Sequence, residues 1–220
     1  MRVGRADLNT RSRVREAAIA VFGQQGLDAP LRAVAAEAGL TAGRIVQLFG
    51  SKDGLRRACD DHVFGVIRTA KRDTMVSSAG ATMISRFAML DEFVPYLAYV
   101  ARSVQAGGEH AREFIDHMVE DALDYMADAV AAGTVLPSRD ERARVRYLTE
   151  ISLGHLALRL SLDAPQDAEE LASCLRTHLD AMALPALELY TQGFLSDRRM
   201  LDSYLLYVGD PPGQEQAASA

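Results

Sequence analysis

The 220 residues predict an all-α protein. Three observations carry that prediction. Apolar side chains recur at helical spacing along most of the chain. Helix-capping residues stand just ahead of the apolar runs. Nothing resembles a strand-rich segment or a short internal repeat. Apolar residues make up 49% of the chain, so it is globular and long enough to bury a core.

The elements follow in order. In residues 11–25, Val14, Ala17, Ala18, Val21 and Phe22 form one apolar stripe, and Gly26 closes the helix. Pro30 suits the first turn of a second helix, whose buried face is Leu31, Val34, Ala35 and Ala38. Gly39 turns the chain into a third helix, capped by Thr41 and running through Phe49, which buries Ile45 and Phe49 with Leu40. Ser51 caps a long fourth helix, and Asp53 in its first turn complements the helix dipole. A Ser/Gly/Ala stretch at 75–84 reads as a joint between modules.

Beyond that joint, a helix near 85–106 must bend or restart at Pro95. Helix 111–132 is strongly periodic, with Phe114, Ile115, Met118, Val119, Ala122, Leu123 and Met126, and ends at Gly133. Ser138 with Glu141 has capping-box spacing for a helix to about Leu162. Asp167 with Glu170 opens another, which Pro185 should kink or stop. A short helix at 197–208 follows Ser196, and the tail 209–220 is expected to be disordered. The expected organisation is a three-helix module at 1–57, a linking helix starting within it over 52–74, and a larger helical domain at 75–208.

Net charge is −6, which alone argues against a nucleic-acid partner. The distribution of that charge argues the other way. Residues 1–72 hold 13 Lys and Arg against 7 Asp and Glu, leaving 11 against 23 in the remainder. A basic segment joined to an acidic body points to a nucleic-acid-binding part, although a basic stretch is also what a solvated face looks like. Cys59 and Cys174 lie too far apart for a CxxC pair and read as ordinary thiols in a reducing compartment. No apolar run approaches the roughly 18 residues of a membrane span, and the N-terminus lacks a signal-peptide core, so a cytoplasmic protein with no membrane partner is expected. No GxSxG, GxxxxGK[ST], HExxH or dinucleotide fingerprint is present, so an enzyme is not expected, and no cofactor is called for. His110 and His117 with Asp116, Glu120 and Asp121 have the look of a polar helix face rather than a metal site.

Two short helices joined by the Gly39 turn have the outline of a helix-turn-helix, whose second helix enters the DNA major groove by its N-terminal end. The residues there are Thr41, Ala42, Arg44 and Gln47. Arginine can bind guanine bidentately and glutamine can bind adenine the same way. Lys52 and Thr41 suit phosphates, and Arg11, Arg13 and Arg5 can hold the backbone or enter the minor groove. An amphipathic helix with solvated Arg44 and Gln47 would show the same pattern.

Residues 11–57 also resemble the DNA-binding region of the TetR family of bacterial transcriptional regulators. The matching segments are RSRVREAAIAVFGQQGLDAPL, AVAAEAGL and GRIVQLFGSKDGL, with Phe22, Gly26, Ala35, Ala38, Gly39, Phe49 and Lys52 in family spacing. Val46 and Leu48 depart from it, standing where the family usually has tyrosine and often has histidine or tyrosine, which leaves Lys52 and Arg44 to carry more of the contact. The resemblance implies a C-terminal domain that binds a small molecule and dimerises through its last two long helices. A pocket would then draw on Tyr96, Tyr99, Phe114, His117, Met118, Tyr125 and Met126, residues that are equally suited to a core. The dimer face would draw on Leu148, Ile151, Gly154, His155, Leu175, His178, Leu179 and Met182. Helix 138–162 is apolar around much of its circumference, as a helix shared with a partner would be.

The expectation is therefore a homodimeric, sequence-specific transcriptional regulator, a repressor released from a palindromic operator by a small-molecule effector. The alternative is a DNA-binding adaptor or architectural regulator whose C-terminal domain only dimerises or binds a protein.

Overall fold

A computed structural model describes residues 5–76 and 90–209. Within them nine α-helices and no strand follow in order: α1 (Arg5–Gln25), α2 (Leu31–Glu37), α3 (Ala42–Phe49), α4 (Lys52–Val76), α5 (Leu90–Gln105), α6 (Gly108–Ala131), α7 (Glu141–Asp163), α8 (Ala168–Gln192) and α9 (Arg199–Tyr207). The all-α class read from the periodicity holds. The described chain divides into two compact units between His178 and Leu179, within α8.

In the first unit the predicted stripes meet in one core. Val14, Ala18 and Phe22 of α1 join Val34 of α2, Ile45 of α3, and Leu55, Cys59 and Val63 of α4. The same cluster continues into Ala98 and Tyr99 of α5, Phe114 of α6, Leu153, Leu156 and Leu160 of α7, and Leu171 and Leu175 of α8. Burying a side chain the size of Phe22 or Ile45 stabilises the fold by about 1.5–3 kcal/mol, so a few such anchors are enough to fix each helix. A smaller cluster, Val119, Ala122 and Met126 with Val145, ties α6 to α7. Ion pairs rim these contacts: Arg68 with Asp121 at 3.1 Å, Arg142 with Glu120 at 2.6 Å and Arg146 with Asp116 at 2.6 Å. Asp116, Glu120 and Asp121 thus face arginines, and among the described residues no group of three or more His, Cys, Asp or Glu is placed to hold a metal.

The sequence divided the chain at 57 and 75, whereas the core runs through that boundary. The reason is α4, which turns Leu55, Cys59 and Val63 into the core and sets Phe64 against Phe114 of α6 with ring centroids 4.7 Å apart. The joint expected at 75–84 lies outside the described residues except for Met75 and Val76, which end α4, and the tail expected to be disordered lies outside them from residue 210 onward.

One local reading changes and two narrow. The cap of α7 is Asp140, whose carboxylate accepts from the Ala143 N–H at 2.9 Å, so Ser138 is not the cap, although Glu141 does accept the Ser138 N–H at 2.7 Å. An aspartate two residues nearer the helix outcompetes the serine for the free amides. Pro95 does not restart α5 and Pro185 does not stop α8; both helices run through. Both prolines are exposed, so water can satisfy the carbonyl that each leaves without its amide.

The second unit comprises the end of α8 and α9. Leu205 is its buried anchor, and Asp197 accepts the Arg199 N–H at 3.0 Å to start α9. Among the described residues no helix is long and apolar enough to cross a membrane.

Candidate nucleic-acid interface

Helix α3 is short, and its placement is over-determined. Thr41, in extended backbone, accepts the Arg44 N–H on its side-chain oxygen at 3.2 Å and starts the helix as the sequence predicts. Ile45 is completely buried, which turns Val46 and Gln47 outward and leaves Ala42 and Arg44 half-exposed. Gly39, at φ +63°, supplies the left-handed turn before it. On this outer edge the Arg44 guanidinium donates from Nη1 to Gln47 Oε1 at 2.6 Å, one helical turn on.

The far end of α3 is clamped by two contacts that sequence reasoning missed. Arg11 of α1 donates from Nη1 to the Leu48 carbonyl and stands 4.7 Å over the Phe49 ring. A cation on a terminal carbonyl also complements the negative end of the helix dipole. The second contact is steric. A Cβ on Gly54 would lie 2.0 Å from the Phe49 carbonyl oxygen, so only glycine lets α4 leave α3 this closely. Ser51 caps α4 by accepting the Gly54 N–H at 3.0 Å.

Lys52 opens α4 with its ammonium 5.8 Å from the Phe22 ring. A cation at a helix N-terminus opposes the dipole, and an anion laid there removes the conflict. Arg13 is exposed on α1, whereas the Arg5 side chain lies outside the described residues. The structure therefore gathers Thr41, Ala42, Arg44 and Gln47 along α3, puts Lys52 at the start of the next helix, and uses Arg11 to hold α3 in place.

The residues considered for a pocket are spread through the interior. Tyr99 is fully buried, Phe114 and Met126 nearly so, and Met118 and Tyr125 pack half-buried against the two clusters. Tyr99 donates to Asp60 Oδ1 at 2.7 Å. Burial raises the Asp60 carboxyl to about 6, against the lowering effects of the Tyr99 hydrogen bond and of Arg56. His117 is exposed and stacks on Phe64 at 4.1 Å. Tyr96 lies edge-on to His62 and Phe93, and these two help line an open groove of about 450 Å³ with Asp61, Val66, Thr69 and Asp73.

The residues considered for a dimer face separate by exposure. Ile151 and Gly154 are exposed and fall on a stripe with Tyr147, Leu158 and Leu162, at 64%, 53% and 65% exposure. The stripe is spaced by four, three, four and four residues and was legible in the sequence as one helical face. Leu175 and His178 are corrections: both are buried inside the subunit, Leu175 in the main core and His178 against the His155 ring at 4.5 Å. Burial and the neighbouring His155 hold His178 below the usual histidine range. Leu148 is half-buried against the α6–α7 cluster, His155 is half-buried, and Leu179 and Met182 are half-buried in the second unit.

Comparison with known proteins agrees with this geometry. The family model for bacterial regulatory proteins of the tetR family matches residues 14–59, and the model for a tetracyclin repressor-like C-terminal domain matches residues 91–196. The chain is 42% identical over 200 residues to the HTH-type transcriptional regulatory protein RaaS of Mycobacterium tuberculosis (strain ATCC 25618 / H37Rv), covering 91% of this chain and 93% of that one. The fold is shared with two solved structures. One is a putative TetR-family transcriptional regulator from Rhodococcus sp. (TM-score 0.55, 18% identity, 79% of this chain and 98% of that one). The other is a tetR-family transcriptional regulator from Streptomyces coelicolor (TM-score 0.54, 15% identity, 96% and 92%). An α3 built to expose Arg44 and Gln47, a relative matched along nearly its whole length, and two family models in the expected order lead to one conclusion: the chain belongs to the TetR family of DNA-binding transcriptional regulators.

Proposed function

We propose that the protein is a cytoplasmic homodimeric repressor that binds a palindromic operator through α3 of each copy and is released by a small-molecule effector. The observation that carries this reading is the exposed stripe Tyr147, Ile151, Gly154, Leu158 and Leu162 on α7. One chain alone leaves that face in water, and a second copy related by a two-fold axis covers it with the same residues. Two-fold symmetry then sets two α3 helices to read two half-sites of a palindrome. Thr41, Ala42, Arg44 and Gln47 face the bases, Lys52 and Arg13 the phosphates.

For the effector, the groove beside Tyr96 is the better candidate than the buried tyrosine and phenylalanine positions. It is lined chiefly by α4, the same helix that begins at Lys52 beside the reading head. A ligand that favours one placement of α4 shifts the population of dimers whose α3 spacing matches successive major grooves. Reciprocity follows: operator DNA weakens effector binding by the same factor. The packing of Tyr99, Phe114 and Met126 into the core favours the second reading, an adaptor whose C-terminal helices only dimerise or bind a protein.

Sedimentation equilibrium with a gel shift over a salt series tests the common part. A dimer that binds duplex DNA, with affinity falling steeply as salt rises, is expected; a monomer, or salt-independent binding, contradicts it. A thermal-shift screen of small molecules then separates the sensor from the adaptor.

A further inference from the structure

Two side chains at the end of α5 tie three helices together. Arg102, in the last turn of α5, reaches the C-terminus of α1. Its Nε donates to the Gly23 carbonyl at 3.2 Å and its Nη2 to the Gln24 carbonyl at 3.4 Å. Both carbonyls lie in the last turn of α1, where no intrahelical amide is left for them. The two helices meet closely because residue 23 is glycine. A Cβ there would lie 3.0 Å from the Ala98 Cβ and 3.3 Å from the Tyr99 amide nitrogen.

The same guanidinium donates from Nη1 to Gln105 Oε1 at 3.0 Å. That bond orients the carboxamide, since turning it over would set its N–H groups against those of Arg102. Nε2 is then left for α7, where it donates to Ser161 Oγ at 2.9 Å and to the Ala157 carbonyl at 3.2 Å. Ser161 Oγ in turn donates to the Ala157 carbonyl at 2.9 Å. Every donor in this joint meets an acceptor.

Both ends of the joint continue. Ala157 and Ser161 are followed directly in the sequence by Leu158 and Leu162 of the exposed α7 stripe. At the other end, α1 carries Arg11, which holds the Leu48 carbonyl of α3. About 18 Å of helix separates Arg11 from Gly23, at 1.5 Å per residue. One chain of contacts thus runs from α3 through Arg11, α1, Arg102 and Gln105 to α7. The apolar side chains between these helices hold them together without directional preference. Direction comes from the polar joint.

We propose that Arg102 and Gln105 are positioning residues that set the separation of the two α3 helices in a dimer. A small turn of α1 against α7 is carried to the far end of a rigid helix, and two-fold symmetry repeats it in the partner. The half-site spacing that the dimer accepts therefore depends on this joint. The inference rests on the dimeric palindrome reader proposed above.

The test uses the full-length protein, Gln105→Met, Arg102→Met and the double variant. Gln105 is exposed, so Gln105→Met keeps the length of the side chain, loses its bonds and leaves the core intact. Gel shifts at one salt concentration compare three kinds of duplex. One is a palindrome selected from a randomised library, another carries one or two base pairs added or removed between its half-sites, and the last is a single half-site. The unaltered protein should prefer the selected spacing. Gln105→Met should lower that preference at least about threefold, within the range of coupling positions, while its affinity for the single half-site stays unchanged. Arg102→Met should also lower the preference, and the double variant should lose no more than the worse single variant, because both residues serve one joint. A preference unchanged in both single variants would overturn the proposal while leaving the dimeric reading intact. So would a loss on the single half-site as large as that on the palindrome. An unaltered protein that selects no palindrome, or shows no spacing preference, would overturn the dimeric reading itself.

Discussion

Tyr99 of α5 donates its hydroxyl to Asp60 of α4 at 2.7 Å, joining the body of the protein to the helix that leads to the reading head. The carboxyl is largely buried, and burial lifts it to about 6. An aspartate with a folded value above its unfolded one, near 3.9, favours the protonated native state. The stability it lends is present at low pH and is lost as pH rises through about 6. Asp60→Asn should therefore be more stable than the unaltered protein at pH 8, by about 1–2 kcal/mol after solvent screening. The difference should vanish by pH 4. Tyr99→Phe removes a bond that favours the ionised form and should move the window upward. Urea unfolding of the three proteins from pH 4 to 8 measures this, and a difference between Asp60→Asn and the unaltered protein that is flat with pH contradicts it.

Gly54→Ala should be severe for so small a change. Its Cβ would fall 2.0 Å from the Phe49 carbonyl oxygen, and the obstacle is backbone, so α3 and α4 must part. The expected cost is about 2 kcal/mol or more, with DNA affinity falling further than stability because α3 itself is displaced. Chemical denaturation and a gel shift on the same variant check both halves; an unchanged midpoint would mean that the two helices are not held this closely.

Arg11 and Lys52 are both cations near α3, yet they should fail differently. Arg11 is spent on the Leu48 carbonyl and the Phe49 ring, so Arg11→Met should weaken binding to all sequences while leaving the salt dependence almost unaltered. Lys52→Ala should lower the slope of log K against log salt by about 0.9, the signature of one lost phosphate contact. If Arg11→Met also loses about 0.9, it touches phosphate after all.

Leu158→Glu places a charge within the exposed α7 stripe. The position is 53% exposed, so the subunit should fold normally. The dimer should weaken at least ~100-fold, because two carboxylates would be buried near a two-fold axis without partners. Sedimentation equilibrium reads the change, and a dimer of undiminished affinity would place the interface elsewhere.

What was legible in the sequence was whatever repeats locally. The core stripe of α1, the Thr41 cap and the Gly39 turn each follow from residues within one or two turns of one another. The α7 stripe was equally local, but reading that helix as apolar all round hid the division between Leu153, Leu156 and Leu160 inside and Tyr147, Leu158 and Leu162 outside. Leu175 and His178 were misplaced for the related reason that a stripe does not say which neighbour covers it. Arg11 on Leu48 was out of reach, since the partners lie 37 residues apart and nothing in either residue type announces the other. The Arg44–Gln47 bond lies within one helical turn, at a separation of 3, but exposed side chains at that spacing can equally face solvent.

Arg44→Ala asks whether the outer edge of α3 reads base edges. The measurement is the ratio of affinities for a footprinted site, sought first in the DNA flanking the protein's own gene, and for random duplex DNA at one salt concentration. The unaltered protein should protect a palindrome with half-sites about one helical turn apart. Arg44→Ala should cut the ratio roughly 5- to 100-fold, mainly by losing the specific complex. An Arg44→Ala ratio equal to that of the unaltered protein would mean that Arg44 reads no base.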